Sequence, residues 1–479
     1  MCPDDEPFRG PLADGPLANE TTAELLESHE PDLRRVGRRE LARVFVVIVV
    51  AAWCIGRAVA LHLIGVLAPR RRRYRTVGDA AANGLIDSFM RLGPTLVKLG
   101  QVIASSPGIF PLWLAGPARR CLDEVPAFPT DLVRRTVSED LGRPIEQLFA
   151  SFQNEPLSAA SIGQVHAVVL PDGREAVVKV QRPNLRERMT TDLRVLHLVA
   201  RLAQRTAWGR SANAVGMVAY LSSLTTKELN PVVEAWNQQR FRDNLWVFGD
   251  NAYVTAPEVY WEYCGPRTIC MERVHGVPMD DFGVIAARGI DGELVLRRGA
   301  KAWAEAVLVH GPFHGDMHAG NIWVLEDGRG CFLDFGIMGE LDDVWRDVAR
   351  DLYFTCVFDR NFVRVAAAYR RVGVFPPDMG TDEEIGMRIG MILSPLLDSG
   401  IGSVSLGDLI TSSVVLMKEF GGTPPQELML VGKQLLYIER YTKELAPDYA
   451  VITDPFLVKN VFPDAAEELR ERTGAVFPD

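Results

Sequence analysis

The sequence is sparing with cysteine. Its seven are scattered, with no C-x-x-C pair. An odd, dispersed set speaks against a disulfide framework and suits a reducing compartment. Each reads as a small buried hydrophobe. Positive charge is in deficit: 52 Lys and Arg stand against 62 Asp and Glu, a net charge of −10. With no basic-aromatic repeat, this argues against a nucleic-acid partner. Internal repeats and low-complexity tracts are absent. An uninterrupted apolar run near the N-terminus, 44–56, is thirteen residues long, short of the roughly 20 a membrane helix needs. What remains is ordinary globular composition, 47% hydrophobic and 24% charged, over 479 residues. That length predicts about two to three folding units.

Charge is unevenly spread. Residues 1–32 carry nine acidic side chains and one Arg. The head, 1–33, is expected to be disordered, apart from a short helix at "TTAELLESHE". Residues 34–75 invert this, with eleven Arg and one Glu. Between the Arg clusters lies "VFVVIVVAAWCIGRAVALHLIGVLA", 44–68, interrupted by Arg57 and His62. The preceding acidic head and the following "APRRRRYR" argue against a signal peptide. Three readings remain: a helix lying on an anionic membrane surface, a span with Arg57 paired or snorkelling, and an amphipathic helix packed on its own protein. Membrane association is preferred to the packed reading, and peripheral to spanning. The localisation expected is cytoplasmic, membrane-associated through 34–75.

From 76 to 150 the pattern is helical, with apolar residues at three- and four-residue steps. Pro94 suits the first turn of a helix through "TLVKLGQVIASS". The period then changes. "SIGQVHAVVL", a Pro171-Asp172-Gly173 turn and "REAVVKVQ" predict a β-hairpin. Residues 188–247 return to helix. "RTICMERV" predicts a strand that Gly276-Val277-Pro278 breaks, 290–311 a helix, and "NIWVLEDGRGCFLDFG" a hairpin turning at Asp327-Gly328. From Asp342 onward the pattern is nearly all helical. The resulting division is 1–33 tail, 34–75 membrane-associated helix, 76–150 helical extension, 151–275 a small β-rich N-lobe and 276–479 a large helical C-lobe, with a cleft expected between lobes.

The stretch "HGPFHGDMHAGNIWVLEDGRGCFLDFGIMGEL", 310–341, carries the chemistry. His314 and His318 are four apart, but Gly315 stands where a zinc hydrolase of the H-E-x-x-H kind has its Glu, and Gly is a poor helix residue. Oxygen ligands suit Mg²⁺ instead. Asp316 and Asn321 lie five apart on a Gly-containing loop, and Asp334-Phe335-Gly336 ends the hairpin. This order and spacing match the H-R-D-x-x-x-x-N and D-F-G elements of protein kinases. Upstream, "AVVKV" offers Lys179 on a strand, and "KELNPVVEAWNQ" offers Glu228 and Glu234. "TICMERV" falls where a hinge strand would meet a base, around Met271 to Arg273. No Gly-rich phosphate loop precedes Lys179. "PLSAASIGQVH" has one glycine, Gly163, and its alanines stiffen the loop.

These residues resemble the UbiB/ADCK family of atypical kinases over roughly 80–450. The resemblance rests on "LGPTLVKLGQ" with Lys98 and Gln101 (its K-x-G-Q motif), "SAASIGQVH" (its Ala-rich loop), "KELNPVVEAWN" (its E-x-D segment), and "HGDMHAGN" with "LDFG". It implies an α+β, bilobal protein-kinase-like fold, with the K-x-G-Q helix covering the cleft. It further implies ATP and Mg²⁺ as cofactors, and ATP hydrolysis more than phosphorylation of other proteins. Work on quinone or isoprenoid lipids at membranes is the role it implies, with anionic lipid or a prenyl/quinone intermediate as partners. By the same resemblance Lys179 contacts the phosphates and pairs with Glu234, Asn321 and Asp334 hold Mg²⁺, and Asp316 is the base or positions water. Lys98, Gln101 and Glu228 form a family-specific polar cluster, in which the resemblance implies a catalytic part for Lys98 and nucleotide binding for Gln101 and Glu228. Ser158, Ala159, Ala160 and Ser161 form the nucleotide loop and tune nucleotide choice, and Met271 lies at the hinge.

The sequence departs from the family at Asn230, where E-x-D has a carboxylate, at Ser158, where Ala is usual, and at Met317 and Ala319, where Pro is common. No long apolar C-terminal segment of the membrane-anchoring sort is seen, so membrane contact is expected from 34–75. A phosphotransferase acting on a small molecule or protein, and a non-catalytic ATP-gated lipid- or protein-binding module, are the alternatives.

Overall fold

A computed structural model describes residues 31–67, 74–104, 112–123, 127–159, 162–206, 213–399, 405–422, 426–449 and 451–478. The expected acidic tail, with its short helix, falls mostly outside them, as do Ala160 and Ser161. The chain divides into two compact units: residues 1–233 with Tyr260–Arg273, and Glu234–Val259 with Val274–Asp479.

The first unit begins with α1 (Arg38–Leu67), α2 (Val77–Leu92) and α3 (Pro94–Ala104). Thr76 caps α2 by accepting the Asp79 N–H at 3.0 Å. Gly93 ends it at φ 112°, and Pro94 opens α3, so two residues set the corner between the helices. Short α4 (Leu112–Ala118) and α5 (Arg120–Asp123) follow, then α6 (Thr130–Leu141) and α7 (Ile145–Leu148).

The sheet of this unit runs β1 (Ser151–Phe152), β3 (Gly163–Val169), β4 (Glu175–Gln181), β6 (Thr268–Glu272), with β2 (Ser158–Ala159) also on β3; every pairing is antiparallel. Burial alternates along β4: Ala176, Val178 and Val180 are buried, whereas Val177, Lys179 and Gln181 are half-buried. Buried Asp140 of α6 accepts from the Arg267 N–H (2.7 Å), Arg267 Nε (2.8 Å) and Thr268 Oγ1 (3.0 Å), which fastens that helix beside β6. Gln164 does the same for the chain leading into α6: its amide accepts from the Phe128 N–H (2.9 Å) and donates to the Phe128 carbonyl (3.2 Å). Two helices, α8 (Leu185–Ala203) and α9 (Ala214–Glu228), complete the unit, with the first turn of α10 (Pro231–Asn244).

The second unit holds the rest of α10 and a four-stranded sheet of order β5 (Val254–Thr255), β10 (Gly330–Phe332), β9 (Ile322–Leu325), β7 (Gly276–Pro278). The strand of "RTICMERV" ends at Glu272, ahead of Gly276-Val277-Pro278, but that tripeptide itself forms a further strand, pairing with β9 at the sheet edge, where a proline's missing N–H is tolerated. Helices α11 (Phe282–Ala287) and α12 (Gly292–Glu305) follow. The helix expected over 290–311 closes in a π-turn, Ala306–His310. A two-stranded ribbon joins β8 (Pro312–His314) to β11 (Met338–Glu340). The remainder is helical: α13 (Asp343–Phe354), α14 (Phe362–Arg371), α15 (Asp382–Ser399), α16 (Leu406–Glu419), α17 (Gln426–Leu445) and α18 (Pro463–Thr473). Its core gathers Phe241, Trp303, Phe313, Phe332 and Phe335, all buried.

Both hairpins turn on the same device. In Asp172-Gly173-Arg174 and Asp327-Gly328-Arg329 the glycine takes positive φ (90° and 83°). The aspartate accepts the arginine's backbone N–H (3.0 and 3.1 Å) and its Nε (2.7 Å in each).

Candidate functional site

In the second unit, β8 delivers a loop whose centre is a neutral histidine. His314 is fully buried. Its Nε2 donates to the Leu333 carbonyl (2.9 Å) and the Asp334 carbonyl (3.1 Å), and its Nδ1 accepts the Asp316 N–H (3.2 Å). Burial pushes its pKa below the ordinary value, in keeping with this tautomer. One imidazole therefore stitches the loop of Asp316 to the turn of Asp334. The ring is committed to carbonyls and cannot also ligate zinc. Among the described residues no three His, Cys, Asp or Glu side chains converge as a metal cluster.

Asn321 donates its amide to the Asp316 carbonyl (3.0 Å), so its oxygen is the atom presented as an acceptor. Asp334 is exposed and sits in the left-handed region, φ 57°. That region is uncommon for a residue with a side chain, though least so for Asn and Asp. Its Oδ1 accepts the Gly336 N–H at 3.3 Å, stabilising the turn. Phe335 anchors the turn from below. It is fully buried, with ring centroids 5.3 Å from Phe241 and 5.1 Å from His314, and its carbonyl accepts from Asn237 at 3.4 Å. Two oxygen ligands suit Mg²⁺, which keeps waters and phosphate oxygens in the rest of its shell.

The motif did not disclose what holds Asp316. Lys433 of α17 donates to its Oδ1 at 2.7 Å, and His318 Nε2 lies 3.8 Å from its Oδ2. The next residue, Gln434, is fully buried; it accepts the Met317 N–H (2.8 Å) and donates to the Gly315 carbonyl (2.6 Å). Tyr441 donates to the Met317 carbonyl at 2.8 Å. A polar Lys433-Gln434 pair inside the apolar "LMLVGKQLLYI" was the signal available in the sequence.

In the first unit, register gathers several predicted residues on one face. Ser158 pairs with Val165, Val165 with Lys179, and Lys179 with Ile269, while Val177 pairs with Met271. Directly paired residues share a face, as do residues two apart. Ser158, Lys179 and Met271 therefore share one side of the sheet, and Ala159 takes the other. Gly163 opens β3 rather than serving as a loop glycine: an added Cβ would come within 2.6 Å of the Val180 carbonyl oxygen.

Lys98 and Glu228 form a salt bridge, with side chains 9% and 10% exposed. Gln101, on the same helix, is turned elsewhere and donates to the Cys121 carbonyl at 3.0 Å. Asn230 accepts the Val232 N–H at 3.2 Å, capping α10, on which Glu234 is buried. The amide at 230 thus caps the helix, and Glu228 supplies the charge that balances Lys98.

The antiparallel sheet that carries Lys179, the largely helical second unit and the Asp316–Asn321–Asp334 constellation define an α+β protein of the atypical protein-kinase class. The ABC1 atypical kinase-like domain matches residues 120–369. The chain is 34% identical to an uncharacterized protein of Mycobacterium tuberculosis over 91% of this chain and 88% of that one. It is 32% identical to the probable protein kinase UbiB of Pseudomonas aeruginosa, over 81% of this chain and 73% of that protein. Among solved structures, the Rv3197–erythromycin complex from Mycobacterium tuberculosis matches 71% of this chain and 85% of that chain, at 22% identity and TM-score 0.49. The chain belongs to the ABC1, or UbiB/ADCK, family of atypical kinase-like proteins.

Proposed function

We propose that the chain binds ATP with Mg²⁺ and hydrolyses it, in support of quinone or isoprenoid-lipid metabolism at a membrane. The observation that carries the nucleotide reading is the turn at Asp334. It sets an exposed carboxylate at φ 57°, tied through His314 to Asp316 and, beyond it, to the Asn321 amide. Asn321 and Asp334 would hold Mg²⁺, whose charge would offset that of the phosphates. Lys179, on the sheet face it shares with Ser158 and Met271, would neutralise phosphate charge. Asp316 orients the attacking water, or accepts its proton, through its carboxylate. The Lys98–Glu228 pair, with Gln101, holds the K-x-G-Q helix, and Ser158, Ala159, Ala160 and Ser161 tune nucleotide choice.

The test is ATP turnover by purified protein with and without Mg²⁺. Lys179→Ala and Asp334→Asn are expected to abolish it, and undiminished turnover in Asp334→Asn would overturn the reading. Labelled γ-phosphate appearing on one partner stoichiometrically, and lost in Asp316→Asn, would favour a phosphotransferase instead.

The membrane part of the proposal rests on α1. Its 30 residues are long and apolar enough to cross a bilayer. Its polar groups, however, are tied along its length to the first unit: Glu40 to Arg194, Arg43 to Asp192 and the Leu92 carbonyl, and Arg57 to Asp87. Gly84 lets α2 approach so closely that an added Cβ would meet Ile55 Cα at 2.7 Å. The opposite face exposes Leu41, Phe45, Ile48, Val49, Trp53, Leu63 and Ile64. A helix held sideways in this manner lies on an anionic surface, with arginines at both ends. Flotation with anionic liposomes should retain the protein, and Phe45→Asp/Trp53→Asp should release it. Resistance of the wild type to alkaline extraction would instead indicate a span.

A further inference from the structure

Residues 433 and 434 of α17 both reach the Asp316 loop, in different ways. Gln434 is buried and clamps the backbone on either side of Asp316. Lys433 donates to the carboxylate, with its ammonium 6.0 Å from the centroid of the Tyr437 ring, and its side chain is 40% exposed, with that of Asp316 at 21%. Ion pairs this accessible contribute little to folding. The fold elsewhere builds its structural lysines differently: Lys98–Glu228 is 9% and 10% exposed, and Lys301–Glu305 is 1% and 1%. Folding is thus served by Gln434, and a partly solvated ammonium is left beside the reactive carboxylate.

Charge makes the same point. The stretch from His310 to Ile322 contains no Lys or Arg. The basic residue that follows, Arg329, is paired with Asp327 at the hairpin tip. His318, beside Asp316, is a cation only when protonated. A triphosphate brought to Asp316 and Asp334 adds negative charge to negative charge. Lys433 supplies a fixed positive one: it lies 2.7 Å from Asp316 Oδ1, and the Asp316 carbonyl in turn accepts from Asn321 at 3.0 Å.

Resting on the ATP reading above, we propose that Lys433 is a ligand of the terminal phosphate. It is held on Asp316 Oδ1 until a triphosphate arrives and then pairs with a terminal phosphate oxygen while remaining beside the carboxylate. An ammonium carries three donors on a rotatable stem and can serve both acceptors. The side-chain cation beside Asp316 thus comes from a helix that begins more than ninety residues downstream of Asp334.

A ligand of the terminal phosphate distinguishes ATP from ADP; a structural residue does not. Calorimetric titration of full-length wild type, Lys433→Met and Lys433→Arg with Mg-ATP and Mg-ADP is the test. Lys433→Met should weaken ATP about tenfold while ADP stays within about twofold, the size expected for losing one charge-assisted hydrogen bond. Lys433→Arg should recover most of the loss, and the melting temperature of both variants should stay within about 2 °C of wild type. Equal effects on both nucleotides, or none, in a chain whose wild type binds them would reject Lys433 as a phosphate ligand and leave the ATP reading standing. A wild type that binds neither nucleotide would overturn the ATP reading and this proposal together.

Discussion

Gly100 of α3 lies so close to Cys121 of α5 that a methyl group on it would come within 2.4 Å of the Cys121 Sγ. The glycine of the K-x-G-Q motif is therefore a contact point between helices, two residues from Lys98. Gly100→Ala is expected to cost about 1–3 kcal/mol, the usual range for overpacking. Cys121→Ala should rescue part of that loss in the double variant. Urea unfolding of the four proteins in the cycle measures it, and simple additivity would show that the contact carries no strain.

Lys98 and Glu228 are both nearly buried, so removing one strands the other. Lys98→Met should destabilise by about 3–5 kcal/mol, whereas Lys98→Met/Glu228→Met should recover much of the loss because no uncompensated charge remains. A double variant as unstable as the sum of its singles would refute this account.

Phe335 fills the space between Phe241 and His314 under the Asp334 turn. Phe335→Ala is expected to cost about 3–5 kcal/mol, and Phe335→Leu less. The stability loss should be accompanied by weaker Mg-ATP binding even at temperatures where the variant stays folded. Intact nucleotide affinity in folded Phe335→Ala would disconnect the aromatic anchor from the carboxylate above it.

His166 is buried in β3; its Nδ1 donates to the Gln153 carbonyl (2.8 Å) and its Nε2 accepts from Gln164 (2.9 Å). Burial lowers its pKa, with the Gln153 bond opposing, so the folded state binds the proton less readily than the unfolded chain does. Its contribution to stability is complete above the unfolded value of about 6.5 and is lost progressively as pH falls below it. Melting temperature should decline from pH 7 to 5.5, with a shallower decline in His166→Gln. Parallel slopes for the two proteins would show that this histidine does not set the acid limb.

Legibility in the sequence followed the range of the physical signal. The hairpin turns were readable because Asp-Gly-Arg is a local instruction, and the Asp316, Asn321 and Asp334 spacing because the motif spans under twenty residues. Strands β5 and β7 have two and three residues, too few for a period to register. At β7 a Gly and a Pro marked the end of the strand before them but hid the one they form, because edge position cannot be seen along a chain. Gly163 invited a role at phosphate, yet its constraint is the close approach of Val180 on the neighbouring strand. Gln101 shares a helix with Lys98, but which of them turned to Glu228 and which to Cys121 depended on packing. Lys433 and Gln434 reach Asp316 and its neighbours from more than a hundred residues away, and helical periodicity does not report such a distance.

Position 334 passes through two independent sieves. The backbone there admits residues that tolerate a left-handed conformation, which favours Gly, Asn and Asp and penalises β-branched side chains. The proposed metal-binding role then asks for negative charge, and of those three only aspartate has it. Replacement by Ala or Val therefore disturbs geometry and charge at once, whereas Asn changes the charge and keeps the turn. At this residue the choice of substitution decides which of the two properties an experiment reports.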